Sequence, residues 1–373
     1  MEINELLRYT VERGASDLHL KVGNVPFIRV DGELQPTQFD ALTAAQTSDF
    51  SDALMSEHKR KEFLLSNEAD LGHTLHGVGR FRINVFRQRG VVGMAIRRVR
   101  SEIPTIEELR LPESVRALAA SPRGLVLVTG PTGTGKTTTI AAMIGHINAT
   151  RRAHIVTVED PIEVVHEDDL SIIQQREVGL DTDSYSNALR HIVRQDPDVI
   201  FVGEIRDSES ALSAIQAAET GHLVISTLHT IDCLETINRI LDLFPPQMAK
   251  EVRTSFAGAL RGIVSQRLVQ RADGKGRVPT CEILINTGRV FDRLVDPDET
   301  ESIRDVMADG GFYGMQTFDQ HLVELVNEGL VDIEDARHAA THPHDFELAL
   351  HGAMDRGVAF RGDESTAGHP YSV

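Results

Sequence analysis

The sequence contains no tryptophan, and Phe, Trp and Tyr together make up only 5% of it. Single-stranded nucleic acid is held on stacked aromatic platforms, so an extensive surface of that kind is not expected. Positive charge is also short: 38 Lys and Arg stand against 56 Asp and Glu, for a formal net charge of −18. Duplex affinity comes largely from cations that neutralise phosphates, so nucleic acid is not an expected partner. Only two cysteines occur, Cys233 and Cys281, with no C-x-x-C pair. Neither a disulfide framework nor a zinc cluster is expected, which suits a reducing cytosol. No apolar run approaches the roughly 20 residues that cross a bilayer. The first residues, "MEINELLRYTVERG", read as a charged amphipathic helix without the apolar centre of a signal peptide. The expectation is a cytoplasmic protein with no direct membrane insertion, whose membrane role would run through a partner.

What is present suffices for about two domains with real cores: 373 residues, 41% hydrophobic and 25% charged. Residues 1–100 read as a small α/β domain. In "SDLHLKV", Leu18, Leu20 and Val22 alternate with polar neighbours, a half-buried strand. "VPFIRVDGEL" predicts a second strand and a turn at Asp31-Gly32. "GRFRINVF" sets Arg80, Arg82 and Asn84 on one face and Phe81, Ile83 and Val85 on the other. Residues 101–114 read as a linker, and "SEIPTIEELRLPESV" around them carries a short helix.

From about 115 to 345, short apolar runs alternate with helical stretches. "LVLV", "HIVTV", "VIFVG" and "HLVIST" predict a mainly parallel sheet covered by helices. In "DSYSNALRHIVRQDP", Tyr185, Leu189, Ile192 and Val193 share one helical stripe, while Arg190 and Arg194 stack a turn apart. After about residue 230 the chain reads as mostly helical. Residues 346–373 lose periodicity and read as a partly disordered tail.

"GPTGTGKT", from Gly130 to Thr137, fits G-x-x-x-x-G-K-[ST] between an apolar strand and the helix-compatible "TTTIAAMIGHI". Glycines let backbone N–H groups converge on phosphate oxygens. Gly130, Pro131, Thr132, Gly133, Thr134, Gly135, Lys136, Thr137 and Thr138 are therefore read as the nucleotide-binding segment. Lys136 reaches the β- and γ-phosphates, and the Thr137 hydroxyl ligates Mg²⁺. Ligands of parallel sheets bind beyond the carboxyl ends of strands. There "HIVTV" ends in Glu159-Asp160, "VIFVG" in Glu204, and "HLVIS" in Thr227 with His229 just beyond. Glu204 stands where a Walker B carboxylate belongs, holding Mg²⁺ directly or through water. His222 and His229 are either satisfied core residues or groups that sense the γ-phosphate or tie the site to the sheet.

"TVEDPIEVVHEDD" carries six carboxylates close after the phosphate loop. Pro161 prevents the strand from continuing and leaves Glu163 free to face water. Glu159, Asp160 and Glu163 are the candidates for chemistry; Glu167, Asp168 and Asp169 read as a solvated loop. The segment from Arg80 to Arg100 holds seven arginines and no acid. Its readings are a solvated strand face, a nucleic-acid patch disfavoured by the acidic remainder, or donors to a neighbouring subunit's nucleotide. Arginines supplied in trans raise phosphoryl-transfer rates roughly 10³–10⁵-fold.

These segments together resemble the secretion ATPase superfamily and, within it, the type IV pilus twitching-motility retraction ATPases of the PilT and PilU kind. The similarity runs through "SDLHL", "GRFRINVF", the phosphate loop, "VEDPIEVVH", "REVGLDTDSY", "RQDPDVIFVGEIRD", "AAETGHLVISTLHT" and "GMQTFDQHLVELV", over residues 1–345. The resemblance implies an N-terminal PAS-like α/β domain and a RecA-like P-loop ATPase domain with a mostly parallel sheet and a helical C-terminal part. It implies a homo-hexameric ring at the cytoplasmic face of the inner membrane, ATP and Mg²⁺ as ligands, and pilus retraction through an inner-membrane platform protein. By position, Glu163 is the catalytic glutamate with Glu159 and Asp160 supporting it, and Glu204 is the Walker B acid. His222 and His229 are the paired histidine-box residues. Arg82 and Arg97 match arginines that approach the phosphates, with Arg194 and Arg239 as further candidates. Assembly and type II secretion ATPases are longer at the N-terminus and usually carry a four-cysteine zinc element. The retraction-type "AIRNLIRE" element corresponds to "TGRVFDRLVDPDE", which keeps only its general shape, while "VVGMAIRR" and "EILINTGR" lean toward PilU. An accessory ATPase or nucleotide-dependent scaffold beside a paralogous retraction ATPase, and an assembly ATPase, are the alternatives.

Overall fold

A computed structural model describes residues 1–30, 32–99 and 103–355. Asp31 and Arg100, each named above, lie outside the described residues, as does the tail from 356 to 373. Two compact units make up the chain. The first comprises Met1–Ile103, Val156–Asp168 and Ile173–Ile192; the second comprises Pro104–Ile155, Asp169–Ile172 and the chain from Val193 onward.

The first unit is built on β1 (Asp17–Leu20), β2 (Phe27–Val30), β3 (Glu33–Pro36), β4 (Glu68–Leu75), β5 (Gly79–Gln88) and β6 (Val91–Arg98). They form an antiparallel sheet in the order β3-β2-β1-β6-β5-β4. Period-2 alternation puts Phe81, Ile83 and Val85 of β5 fully into the core and leaves Arg82 exposed. The helix Ile3–Glu12 buries Ile3, Leu6, Leu7 and Thr10, one stripe at i, i+3, i+4 and i+7, into the same core. The helix Ala44–Leu54 starts at Thr43, whose hydroxyl and backbone N–H exchange hydrogen bonds with Gln46 in a capping box.

The remaining strands are β7 (Gly124–Thr129), β8 (His154–Glu159), β9 (Ile172–Glu177), β10 (Val199–Val202), β11 (Leu223–Leu228), β12 (Leu260–Gln270) and β13 (Arg277–Ile285). In the second unit they run β13-β12-β7-β11-β10, parallel from β12 to β10, with β13 antiparallel at the side. Strands β7, β10 and β11 are buried at every residue, which explains continuous apolar runs in place of alternation. After residue 230 most regular structure is helical as expected, but that reading missed two strands, β12 and β13. β12 pairs directly with β7, and its apolar run is that of a strand buried on both faces, which hydropathy cannot tell from a helix.

Other boundaries also differ from those expected. The second unit opens at Pro104, and the helix nearest the expected linker, Glu113–Ala119, starts only in the last three residues of the segment expected to carry one. On the stripe of the helix Tyr185–Ile192, Leu189 and Ile192 are buried, but Val193 lies beyond its end and is exposed. Regular structure continues past residue 345: the helix Pro343–Asp355 buries Phe346 and Leu350 in a C-terminal cluster with Leu322, Leu325 and Val269.

Candidate active site

In the second unit, strand register decides which side chains share an edge. Thr129, the last residue of β7, stands opposite Leu228 of β11, and Val202 of β10 stands opposite Ser226. Gly130, His229 and Glu204 therefore emerge within a residue or so of one level, at the carboxyl edge of three parallel strands. The helix Lys136–Thr150 begins at the same edge, so its first N–H groups face the region where the loop turns.

The loop is held from below. Gly130 has φ +146°, and a Cβ there would lie 2.5 Å from the Gln266 carbonyl oxygen, so only glycine fits. Gln266, 2% exposed on β12, donates from Nε2 to the Thr134 carbonyl at 2.7 Å and accepts from the Thr139 hydroxyl at 2.7 Å. One amide thus pins both the loop and the helix that follows it. A buried chain of hydroxyls continues behind: Thr129 and Ser265 are 2.8 Å apart, and Thr236 donates to Thr129 at 3.3 Å. Lys136 folds over the loop, with Nζ donating to the carbonyls of Gly130 at 2.6 Å and Pro131 at 3.1 Å. Pro131, Thr132, Gly133 and Thr138 face solvent, Thr134, Gly135 and Thr137 are half-buried, and Lys136 is buried.

The Glu204 carboxylate, 21% exposed, pairs with Arg206 Nη2 at 2.9 Å through one oxygen and faces His229 Nε2 at 3.7 Å through the other. His222 is not with them. It precedes β11 whereas His229 follows it, and six residues of strand at about 3.3 Å each put some 20 Å between the two ends. The His222 ring instead meets the Ala217 carbonyl at 2.8 Å and the Thr220 hydroxyl at 3.3 Å, at the end of the helix Ser208–Glu219. The two histidines read as a functional pair therefore stand at opposite ends of β11. Arg194 and Arg239 are both exposed.

The first unit carries the other candidates. Glu163 Oε1 accepts from Arg82 Nη1 at 3.0 Å, with both side chains about two-fifths exposed (41% and 43%). Arg97 donates to Asp17 Oδ1 at 2.8 Å. Burial pushes the Asp17 carboxyl up, but hydrogen bonds from Ser16 and Arg97 outweigh it and leave the group below its usual value. Arg82 and Arg97 stand directly opposite each other on β5 and β6, a repulsive placement that an acid beside each offsets. Glu159 is buried, accepting from the Thr157 hydroxyl at 2.7 Å and from Gln175 Nε2 at 3.1 Å. Burial lifts its pKa above the ordinary carboxyl value against those hydrogen bonds. Asp160 is exposed, and the Asp160–Pro161 peptide is cis.

A family model for "Type II/IV secretion system protein" matches residues 2–356. The chain belongs to this family. The "Type IV pilus ATPase PilU" of Pseudomonas aeruginosa is 41% identical over 373 residues, covering 100% of this chain and 95% of the relative. The "Type IV pilus retractation ATPase PilT" of the same organism is 43% identical over 346 residues, 93% of this chain and 100% of the relative. A crystal structure of the pilus retraction motor PilT with bound ADP superposes with a TM-score of 0.84 at 43% identity, covering 93% of this chain and 99% of that one.

Within this secretion-family chain, two residues that the sequence did not single out hold parts of the site. Gln266 lies in the segment read as helical, where a buried amide carries no local signal. Glu177, at the end of β9, is 4% exposed and accepts hydrogen bonds from the backbone of Gly72 and Ile162. Its partners are distant in sequence, so spacing could not reveal it.

Proposed function

We propose that this chain is an ATP-hydrolysing motor of type IV pilus retraction, working as a homo-hexamer on an inner-membrane platform protein at the cytoplasmic face of that membrane. The observation that carries the reading is the register bringing the phosphate loop, Glu204 and His229 to one sheet edge, in a chain whose PilT and PilU relatives cover nearly its whole length. Loop N–H groups and the helix start bind the β- and γ-phosphates, with Lys136 moving from its carbonyl partners to phosphate oxygens. Thr137 and Glu204 supply hard oxygen donors that suit Mg²⁺, which together with the phosphates would complete the coordination and neutralise charge. His229, facing Glu204, senses the γ-phosphate. Glu163 orients or deprotonates the attacking water, with Glu159 and Asp160 supporting it. Arg82 and Arg97 donate to a neighbouring subunit's phosphates. We assign His222 to joining the helix end at Ala217 to β11, away from the loop.

Lys136→Ala and Glu204→Ala should each abolish Mg²⁺-dependent ATP turnover while the fold persists. Deletion in the source organism should leave excess pili; bald cells would indicate assembly instead. A second reading, an accessory PilU-like ATPase, is favoured by the PilU match, which extends over all 373 residues. Turnover that is low alone and rises when a paralogous retraction ATPase is added would select it.

A further inference from the structure

The Glu163–Arg82 pair is half-exposed and joins two long side chains, so by itself it holds neither in a fixed place. A second ion pair starts two residues earlier on the same face of β5 and is almost fully buried. Arg80 Nη2 meets Glu177 Oε2, with side chains 11% and 5% exposed. The same Glu177 carboxylate accepts from the Ile162 N–H through Oε2 at 3.1 Å and from the Gly72 N–H through Oε1 at 3.1 Å. Each partner is one step from the outer pair. Ile162 precedes Glu163 in the chain. Arg80 precedes Arg82 by two residues on the same face of β5. Gly72 is the register partner of Arg82 across β4 and β5.

We propose that Glu177 is a positioning residue that fixes the distance between the water-activating turn at Glu163 and the arginine strand at Arg82. This rests on the reading of Glu163 given above. One carboxylate receives the turn, the strand and the strand's neighbour, so none of the three shifts without breaking a buried charged contact. Gly72 is shaped to the same end. A Cβ there would lie 2.6 Å from Glu177 Oε2 and would also meet Arg80, so a side chain at position 72 would have to displace the ends of both members of the buried pair.

The test uses the full-length protein in its assembled state, with kcat, KM for ATP and ADP affinity measured for E177Q, E163Q and the double variant. E177Q should lower kcat about 10- to 100-fold, the scale of a small misplacement of reacting groups, with KM and ADP affinity changed less than about twofold. In the E163Q background, single-turnover measurement should show a smaller fold-loss from E177Q than in the wild-type background, because part of its effect runs through Glu163. R80K should lower kcat less than R80A, and G72A should reproduce E177Q. Unchanged kcat in E177Q, or the same fold-loss in both backgrounds, or ADP binding lost in parallel with kcat, would overturn the proposal. Should E177Q fail to fold, R80K and G72A carry the same comparison. If E163Q alone turns over normally, the reading of Glu163 fails first, and that outcome is separate from a wild-type-like E177Q beside an inactive E163Q.

Discussion

Arg82 donates to Glu163 at 3.0 Å, so the residue proposed to reach a neighbour's phosphates pairs within its own subunit with the residue proposed to activate water. Both are exposed enough that the pair contributes no more than about 1 kcal/mol to folding. Arg82→Ala should therefore leave the melting temperature nearly unchanged while turnover falls steeply. If Arg82 acts in trans, mixing Arg82→Ala with Lys136→Ala subunits should restore part of the activity, since some interfaces regain both groups. Mixtures that stay inactive at every ratio would rule out the trans assignment.

Gln266 satisfies the Thr134 carbonyl and the Thr139 hydroxyl from a buried position. Gln266→Leu leaves both without a partner, at a cost of about 1–3 kcal/mol, and frees the phosphate loop. ADP affinity by calorimetry should weaken by about tenfold or more, together with a lower melting temperature. An affinity equal to wild type would show that the loop holds its shape unaided.

His321 is 5% exposed, and burial pushes its pKa down to about 4 from an ordinary 6.5. Its Nδ1 accepts from the Cys281 N–H at 2.9 Å, which requires that nitrogen to be unprotonated. The folded state binds fewer protons than the unfolded chain between those two values. The stabilisation is fully present above 6.5 and is lost as pH falls through about 4, on the order of 3 kcal/mol at most. His166, also pushed to about 4 by burial, adds loss in the same direction. Melting temperature should drop on acidification from pH 7 to 4.5, and His321→Asn should flatten that slope; an unaltered slope would exclude His321 as its source.

Glu159→Gln removes a desolvated charge while keeping an acceptor for the Thr157 hydroxyl. Its stability should match or slightly exceed wild type, whereas Glu159→Ala should lose about 1–3 kcal/mol. A fall in turnover in the stable Gln variant would place the Glu159 charge in the chemistry; wild-type turnover would confine it to the core.

The strands β7, β8, β10 and β11 and the loop after β7 were legible because parallel strands buried on both faces leave short apolar runs, and glycines mark the one turn that needs them. The outward face of β5 was legible from alternation. β12 and β13 were not, since Ser265, Gln266 and Thr280 interrupt apolar stretches with buried polar groups whose partners lie elsewhere in the chain. The grouping of residues 156–168 and 173–192 with the N-terminal sheet was equally hidden. Among the contacts that join them there are those of Glu177 with Arg80 and Gly72 and of Glu163 with Arg82, which no local pattern encodes. Glu163 could be named from its motif, but its partner Arg82 could be placed only on a face. The separation of His222 from His229 follows from strand length once β11 is known to run between them.

β7 has both of its neighbours, β11 and β12, downstream in the chain, and its hydroxyl contact from Thr129 to Ser265 spans 136 positions. During synthesis the phosphate loop therefore leaves the ribosome long before anything exists to brace it. Until β11 emerges both edges of β7 are open, and until β12 emerges one still is, the kind of surface that chaperones and misassembly compete for. A nascent chain stopped short of residue 270 should bind no nucleotide and should be protease-sensitive throughout its second unit.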